Sequence, residues 1–319
     1  MQFRRQDSIR AGQQGGLRGR LLSLAEQEHK SQITLSQPNE QQQSLRIGQI
    51  FDELDSLIGL TNVKALMREI YAFVEIQKRR QKEKLLAEPT VLHMIVKGNP
   101  GTGKTTVARI IGRLFREMGV LSKGHLIEIE RADLVGEYIG HTAQKTKEQL
   151  KKAIGGILFI DEAYSLARGG EKDFGKEAID ALVKAMEDHK DNLILILAGY
   201  RQEMEWFLRT NPGLRSRFPI HIDYVDYTLK ELLEIAELML NNRQYKADAE
   251  ALDALATIIT NHRTGGPEYS GSARLVRNLI EKAIRRQAVR LVSHRNLSRE
   301  DLMQITGRDI EDLNDHNYS

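Results

Sequence analysis

The sequence predicts an α/β protein in which a parallel five-stranded sheet flanked by helices is followed by a small all-helical domain. Three observations carry this expectation. The segment Gly98-Asn99-Pro100-Gly101-Thr102-Gly103-Lys104-Thr105 fits the phosphate-binding pattern G-x-x-x-x-G-K-[ST]. Five apolar segments, Val91 to Val96, Leu126 to Ile129, Ile157 to Ile160, Leu193 to Ala198 and Ile220 to Ile222, alternate with helical patterns, as in a parallel sheet with crossover helices. Beyond Tyr227 the periodicity is helical only.

Residues 1 to 48 are rich in Gln, Ser, Gly and Arg, with one short apolar cluster, Leu21-Leu22-Ser23-Leu24. Such a stretch buries little surface, so a flexible arm is expected. From Ile50 the apolar pattern tightens, and Val63, Leu66, Met67, Ile70 and Val74 predict a helix running toward Leu86. After the glycine loop, Val107, Ile110, Ile111, Leu114, Phe115 and Met118 recur every three or four residues, the stripe of a helix packed on a sheet. In the C-terminal part, Thr228-Leu229-Lys230-Glu231 reads as a capping box, and two later helices use Leu252, Leu255, Ile258 and Ile259, then Val276, Leu279, Ile280, Ala283 and Ile284.

The loop chemistry is geometric. Glycines let backbone N–H groups curl around a polyanion, and the following helix directs its positive end at it. Lys104 would reach the β- and γ-phosphates and Thr105 would hold Mg²⁺. The third apolar segment ends in Asp161-Glu162, at the edge where parallel sheets place their ligands. Asp161 would hold Mg²⁺ through its water shell, and Glu162 would orient and deprotonate an attacking water.

Taken together, the glycine loop, the apolar-Asp-Glu strand, Asn211-Pro212-Gly213-Leu214-Arg215-Ser216-Arg217 and Gly271-Ser272-Ala273-Arg274 resemble the AAA+ ATPases. The wording Phe159-Ile160-Asp161-Glu162-Ala163-Tyr164-Ser165-Leu166 and Leu197-Ala198-Gly199-Tyr200 is similar to the CbbX/CfxQ branch, over about residues 50 to 305. The resemblance implies an arm over 1–48, an AAA+ nucleotide-binding domain over 49–226, and a helical lid with a polar tail over 227–319. It implies that Arg217 reaches into a neighbouring subunit's ATP site, with Arg215 as the alternative, and that Arg274 contacts the γ-phosphate from the lid. Ile58, Gly59, Gly98, Pro100, Gly101, Thr102, Gly103, Lys104, Thr105 and Thr106 are the implied nucleotide-binding positions. Tyr138-Ile139-Gly140 matches the triplet that grips a polypeptide in the central pore of ring-forming members. Where many members carry Asn or Thr at the end of the fourth strand, this chain has Tyr200, a loose match.

The implied activity is Mg²⁺-dependent ATP hydrolysis by a homo-oligomer, hexameric in expectation, acting on a protein client. Some branch members reactivate a form of Rubisco and others act in sporulation, and the Gln-rich arm leans toward the latter. A nucleotide-controlled scaffold or switch is the competing reading. A DNA-handling role finds no helix-turn-helix and no aromatic-basic interleaving, and 47 basic against 44 acidic residues, net +3, demand no polyanionic partner. The nine His residues show no paired metal spacing, and the absence of Cys excludes disulfides and thiolate chemistry. No apolar run approaches the roughly 18 residues of a membrane span, and Met1-Gln2-Phe3-Arg4-Arg5 does not lead into a signal core, so the cytosol is the expected compartment.

Overall fold

A computed structural model describes residues 40–87, 91–138, 140–169, 173–264, 272–294 and 296–311. The first element among the described residues is helix α1, Glu40–Ser56, inside the stretch expected to be an arm. Glu, Gln, Leu and Arg are good helix formers, and the helix also buries Ile47, Ile50 and Leu54. Residues 1–39, with the Leu21-Leu22 cluster, lie outside the described part of the chain.

Residues 50–319 make one compact unit. Helix α2, Thr61–Lys82, buries Val63, Met67, Ile70 and Val74, and stops one turn short of Leu86. It is entered through Gly59 and Leu60, both at positive φ (67° and 58°). Strand β1, Met94–Lys97, leads into helix α3, Lys104–Glu117. Then come β2, Leu126–Ile129, the short α4, Arg131–Leu134, helix α5, His141–Ala153, and β3, Ile157–Ile160. A 3-10 turn, Ala163–Ala167, and α6, Gly175–Asp188, precede β4, Ile194–Gly199. Helices α7, Arg201–Thr210, and α8, Pro212–Arg217, lead to β5, Ile220–Asp223.

The five strands pair in parallel in the order β2-β3-β4-β1-β5. Every residue of β3 and β4 is buried, as continuous apolar runs in a sheet covered on both faces require. The α3 stripe packs as its spacing demands, with Val107, Ile110, Ile111, Leu114, Phe115 and Met118 buried. Because β4 lies between β1 and β3, residues following these three strands converge at one carboxyl edge, the place for a ligand in open α/β sheets.

The second part is a helical lid with its own core. Helix α9, Leu229–Asn241, starts at the Thr228/Glu231 capping box, in which Thr228 Oγ1 accepts from Glu231 N at 3.2 Å and Glu231 Oε2 accepts from Thr228 N at 2.7 Å. It is followed by β6, Lys246–Ala247, α10, Ala249–Thr264, α11, Ala273–Leu291, α12, Arg299–Met303, β7, Gln304–Ile305, and α13, Arg308–Glu311. The parallel pair β6/β7 is an addition to the expected all-helical lid, too short for an alternation to register. Near the end of the described residues, Ile305 and Ile310 belong to the lid core, buried with Leu232, Leu255 and Val276. Arg290 also pairs with buried Asp309 at 2.8 Å.

Strand β1 begins three residues later than the apolar run suggests, because His93 replaces a backbone partner. Its buried ring Nδ1 accepts the Leu195 N–H at 3.0 Å, and the ring packs 5.8 Å from Phe218. Burial lowers its pKa to about 4. The folded protein therefore holds His93 neutral while the unfolded chain protonates near 6.5, so stability is full above pH 6.5 and is lost as pH falls toward 4. This gap corresponds to roughly 3 kcal/mol. His93→Asn keeps an acceptor and does not titrate, so urea unfolding between pH 6.5 and 4 should weaken less steeply in the variant. Identical slopes would show that His93 is not held neutral.

Candidate active site

The carboxyl edge of β1, β3 and β4 opens into a cavity of about 410 Å³ lined by Pro100, Gly101, Gly103 to Thr106, Glu130, Asp161, Glu162, Gly199, Tyr200, Ala273, Arg274 and Arg277. Its floor is the phosphate loop. Lys104 Nζ donates to Gly98 O and Asn99 O, both at 2.8 Å, and buried Thr102 closes the turn through Oγ1 to Asn99 O at 2.8 Å. Burial pulls the Lys104 pKa below its ordinary value, Asp161 opposes this, Arg274 adds to it, and Asp226 and Glu162 oppose it. The lysine is thus a partly desolvated cation facing two carboxylates, with the space between them lined for an anion and a cation.

Strand β3 delivers the carboxylates. Asp161 Oδ1 accepts the Glu162 N–H at 3.0 Å. Glu162 sits in the left-handed region (φ 47°, ψ 42°), which costs a side-chain-bearing residue about 1–2 kcal/mol. Strain of this kind concentrates at functional positions, and here it turns the chain from the buried strand into the 3-10 turn. Beside it, Tyr200 stacks on buried Tyr164 with ring centroids 5.9 Å apart, and Arg168 lies 4.6 Å from the Tyr164 ring on its own account. Burial raises the Tyr200 pKa, as do Glu162, Asp161 and Glu203, so its hydroxyl keeps its proton.

The lid forms the roof and is bonded to the floor. Ser272 Oγ caps α11 by accepting Leu275 N at 3.3 Å, and the first helical N–H, from Ala273, is donated to Gly101 O at 3.1 Å. Gly101 (φ 73°) has no room for a side chain: a Cβ there would lie 2.9 Å from Ser272 Cβ and 3.0 Å from Arg274 N. Two more ties join the loop to the linker that leads into the lid, Asn99 Nδ2 to the Asp226 carboxylate at 2.9 and 3.0 Å and Tyr227 Oη to Thr102 O at 3.2 Å. Arg274 and Arg277, one helical turn apart, thereby project over the loop.

Of the expected positions, Pro100, Gly101, Gly103, Lys104, Thr105, Thr106, Asp161, Glu162 and Arg274 share this cavity. Gly98 and buried Thr102 shape the loop from behind, and a Cβ on Gly98 would meet Tyr224 at 2.7 Å. Ile58 and Gly59 stand outside the cavity, Ile58 against the lid core and Gly59 beside Glu231 and Tyr227. Arg217 is also outside it, paired with Glu187 at 2.8 Å and donating to Gly213 O at 3.0 Å. Tyr138 lies away from the cavity and is 66% exposed, its ring 5.3 Å from His141, so it is not a core residue. Ile139 and Gly271 lie outside the described residues.

Glu130 and Arg277 line the cavity without having been singled out. The signals were present: Glu130 follows β2 as Asp161 follows β3, and Arg277 is three residues beyond Arg274 on one helix face. The donor set fits a magnesium nucleotide. Thr105 and Asp161 offer hard oxygens, Lys104 and the lid arginines offer cations, and a loop free of side chains at Gly101 and Gly103 exposes backbone.

A phosphate loop on a β2-β3-β4-β1-β5 sheet, roofed by a helical lid that carries arginines, defines an ATPase of the lidded P-loop class. Residues 94–224 match the ATPase family associated with various cellular activities (AAA), and residues 228–319 match the AAA lid domain. Stage V sporulation protein K of Bacillus subtilis (strain 168) is 54% identical over 291 residues, 91% of this chain and 90% of that protein. The chloroplastic ribulose bisphosphate carboxylase/oxygenase activase of Cyanidioschyzon merolae is 45% identical over 284 residues, 88% and 96% of the two chains. The fold is also that of the Thermotoga maritima RuvB Holliday junction branch migration motor, with a TM-score of 0.52 at 21% identity over 81% of this chain and 69% of that chain. The chain belongs to the AAA ATPase family.

Gly101→Ala should lower nucleotide affinity about tenfold or more, since the new methyl group carries the αL penalty of about 1–2 kcal/mol and displaces α11 together with Arg274. Calorimetric titration beside a thermal melt checks this. Wild-type affinity in a stable variant would show that the loop and the lid do not need this contact.

Proposed function

We propose that the protein is a ring-forming, Mg²⁺-dependent ATPase that remodels a protein client. The observation that carries this reading is the convergence of Lys104, Asp161, Glu162 and Arg274 on one cavity, with Arg217 outside it. Thr105 and Asp161 hold the cation, which neutralises charge on the phosphates. Lys104 and Arg274 bind the β- and γ-phosphates, Glu162 takes the proton of the attacking water, and Tyr200 donates a hydrogen bond nearby. Ile58 and Gly59 border the nucleotide on the side of the lid.

Arg217 acts on a second copy's site. A second cavity of about 430 Å³ adjoins the carboxylates; Glu130, Glu137, Asp161 and Glu162 line it together with Arg131, whose charge is already paired with Asp173 at 2.6 Å, so the excess of carboxylates suits an incoming guanidinium. Such a residue supplied in trans is worth roughly 10³ to 10⁵ in rate. Closing that arrangement on itself makes a ring, a hexamer in our reading, in the cytosol. Tyr138, Ile139 and Gly140 grip the client, and the exposure of the Tyr138 ring supports this. The client is a protein of sporulation or, in the manner of the activase relative, Rubisco. Among the described residues no helix is long and apolar enough to cross a membrane.

Lys104→Ala and Arg217→Ala should each be nearly inactive, while their mixture should regain ATPase activity, because some interfaces then pair an intact pocket with an intact finger. Arg215→Ala, on the same helix with no partner among the described residues, is the control. Absence of recovery on mixing would count against action in trans, and a deeper loss at Arg215 would transfer the role to it.

A nucleotide-controlled switch is the competing reading, favoured by the bonds between loop and lid. Tyr138→Ala separates the two: folding, assembly and basal hydrolysis should persist while client-stimulated turnover disappears. Retained stimulation, measured by phosphate release with and without client, would remove the threading claim.

A further inference from the structure

Strand β2 carries a carboxylate that the reaction as described leaves unused. Glu128 lies on the sheet's edge strand, and its two oxygens are divided between two residues of α3. Its Oε1 accepts the Thr105 hydroxyl at 3.2 Å, and its Oε2 accepts Arg109 Nη2 at 2.9 Å. Thr105 and Arg109 are four residues apart, so one face of α3 presents both to the same carboxylate.

The chemistry follows from the hydroxyl. A threonine hydroxyl has one proton and two lone pairs. When the proton is directed to Glu128, the lone pairs face elsewhere, and a lone pair is what a cation needs. Without that acceptor the O–H rotates freely, and part of the time it points its proton toward the cation position. Partners that orient ligands in this way tune metal affinity by about 10- to 100-fold. Arg109 holds Glu128 in place, and with both oxygens engaged the carboxylate is set to accept the hydroxyl proton rather than to ligate the metal itself.

We propose that Glu128, held by Arg109, is a positioning residue that orients the Thr105 hydroxyl and sets the Mg²⁺ requirement for nucleotide binding. This rests on the reading of Thr105 as a Mg²⁺ ligand.

The test is equilibrium binding of a fluorescent ADP analogue to the full chain, titrated with Mg²⁺ and repeated in EDTA. Wild type should bind more tightly with Mg²⁺, and equal affinity in the two conditions would refute the Thr105 reading before any variant is made. Glu128→Ala should reduce the ratio of Mg²⁺ to EDTA affinity about tenfold or more and raise the half-saturating Mg²⁺ concentration accordingly. Glu128→Gln is the rescue, because its carbonyl still accepts the hydroxyl proton, and it should retain most of the ratio. Arg109→Met should shift the ratio in the same direction as Glu128→Ala by a smaller factor. An unchanged ratio in Glu128→Ala would overturn the proposal. A loss in Glu128→Gln equal to that in Glu128→Ala would also overturn it, since charge rather than orientation would then be what matters.

Discussion

The bond from Ala273 N–H to Gly101 O, 3.1 Å long, is the contact on which the geometry of the site depends. It joins the first free donor of a lid helix to a carbonyl of the phosphate loop, satisfying a group that a helix end otherwise leaves unpaired. Because a Cβ on Gly101 would collide with Ser272 and Arg274, the two backbones approach only where the loop residue is glycine. Arg274 and Arg277 inherit their positions from this contact. The contact sits at the N-terminus of a nineteen-residue helix, so the phosphate loop and α11 share one anchoring point.

Charge is partitioned around that contact. Cations come from the loop and the lid, in Lys104, Arg274 and Arg277, and carboxylates come from the strand ends, in Glu130, Asp161 and Glu162. A phosphate chain with its cation satisfies both sets at once. The strained backbone of Glu162 and the Tyr164–Tyr200 stack fix the carboxylate side on rigid strands, while the lid side rests on the linker bonds of Asp226 and Tyr227.

The parts of the fold that were legible in the sequence are those where periodicity is strong. The α3 stripe, the apolar runs of β3 and β4, and the Thr228 capping box all form where the residue pattern puts them. Local runs could not reveal His93, because an apolar stretch does not disclose that one side chain will replace a backbone partner. The start of α1 within a Gln-rich stretch was masked by composition, and the burial of Ile305 and Ile310 by the polar residues around them. In the site, the loop and the Asp161-Glu162 pair were readable because their chemistry requires contiguous residues. Glu128 was not, since it gains its meaning from an α3 hydroxyl that is its neighbour only in space, while Glu130 and Arg277 carried positional signals, a strand end and a helix face shared with Arg274, that no contiguous motif flags.

The coupling of loop to lid is tested most directly by hydrogen–deuterium exchange on the wild-type chain across a titration with a slowly hydrolysed ATP analogue and Mg²⁺. The account predicts that amides of the phosphate loop and of residues 273–276 gain protection together, with one nucleotide midpoint. Protection of the loop with no change over residues 273–276 would contradict it.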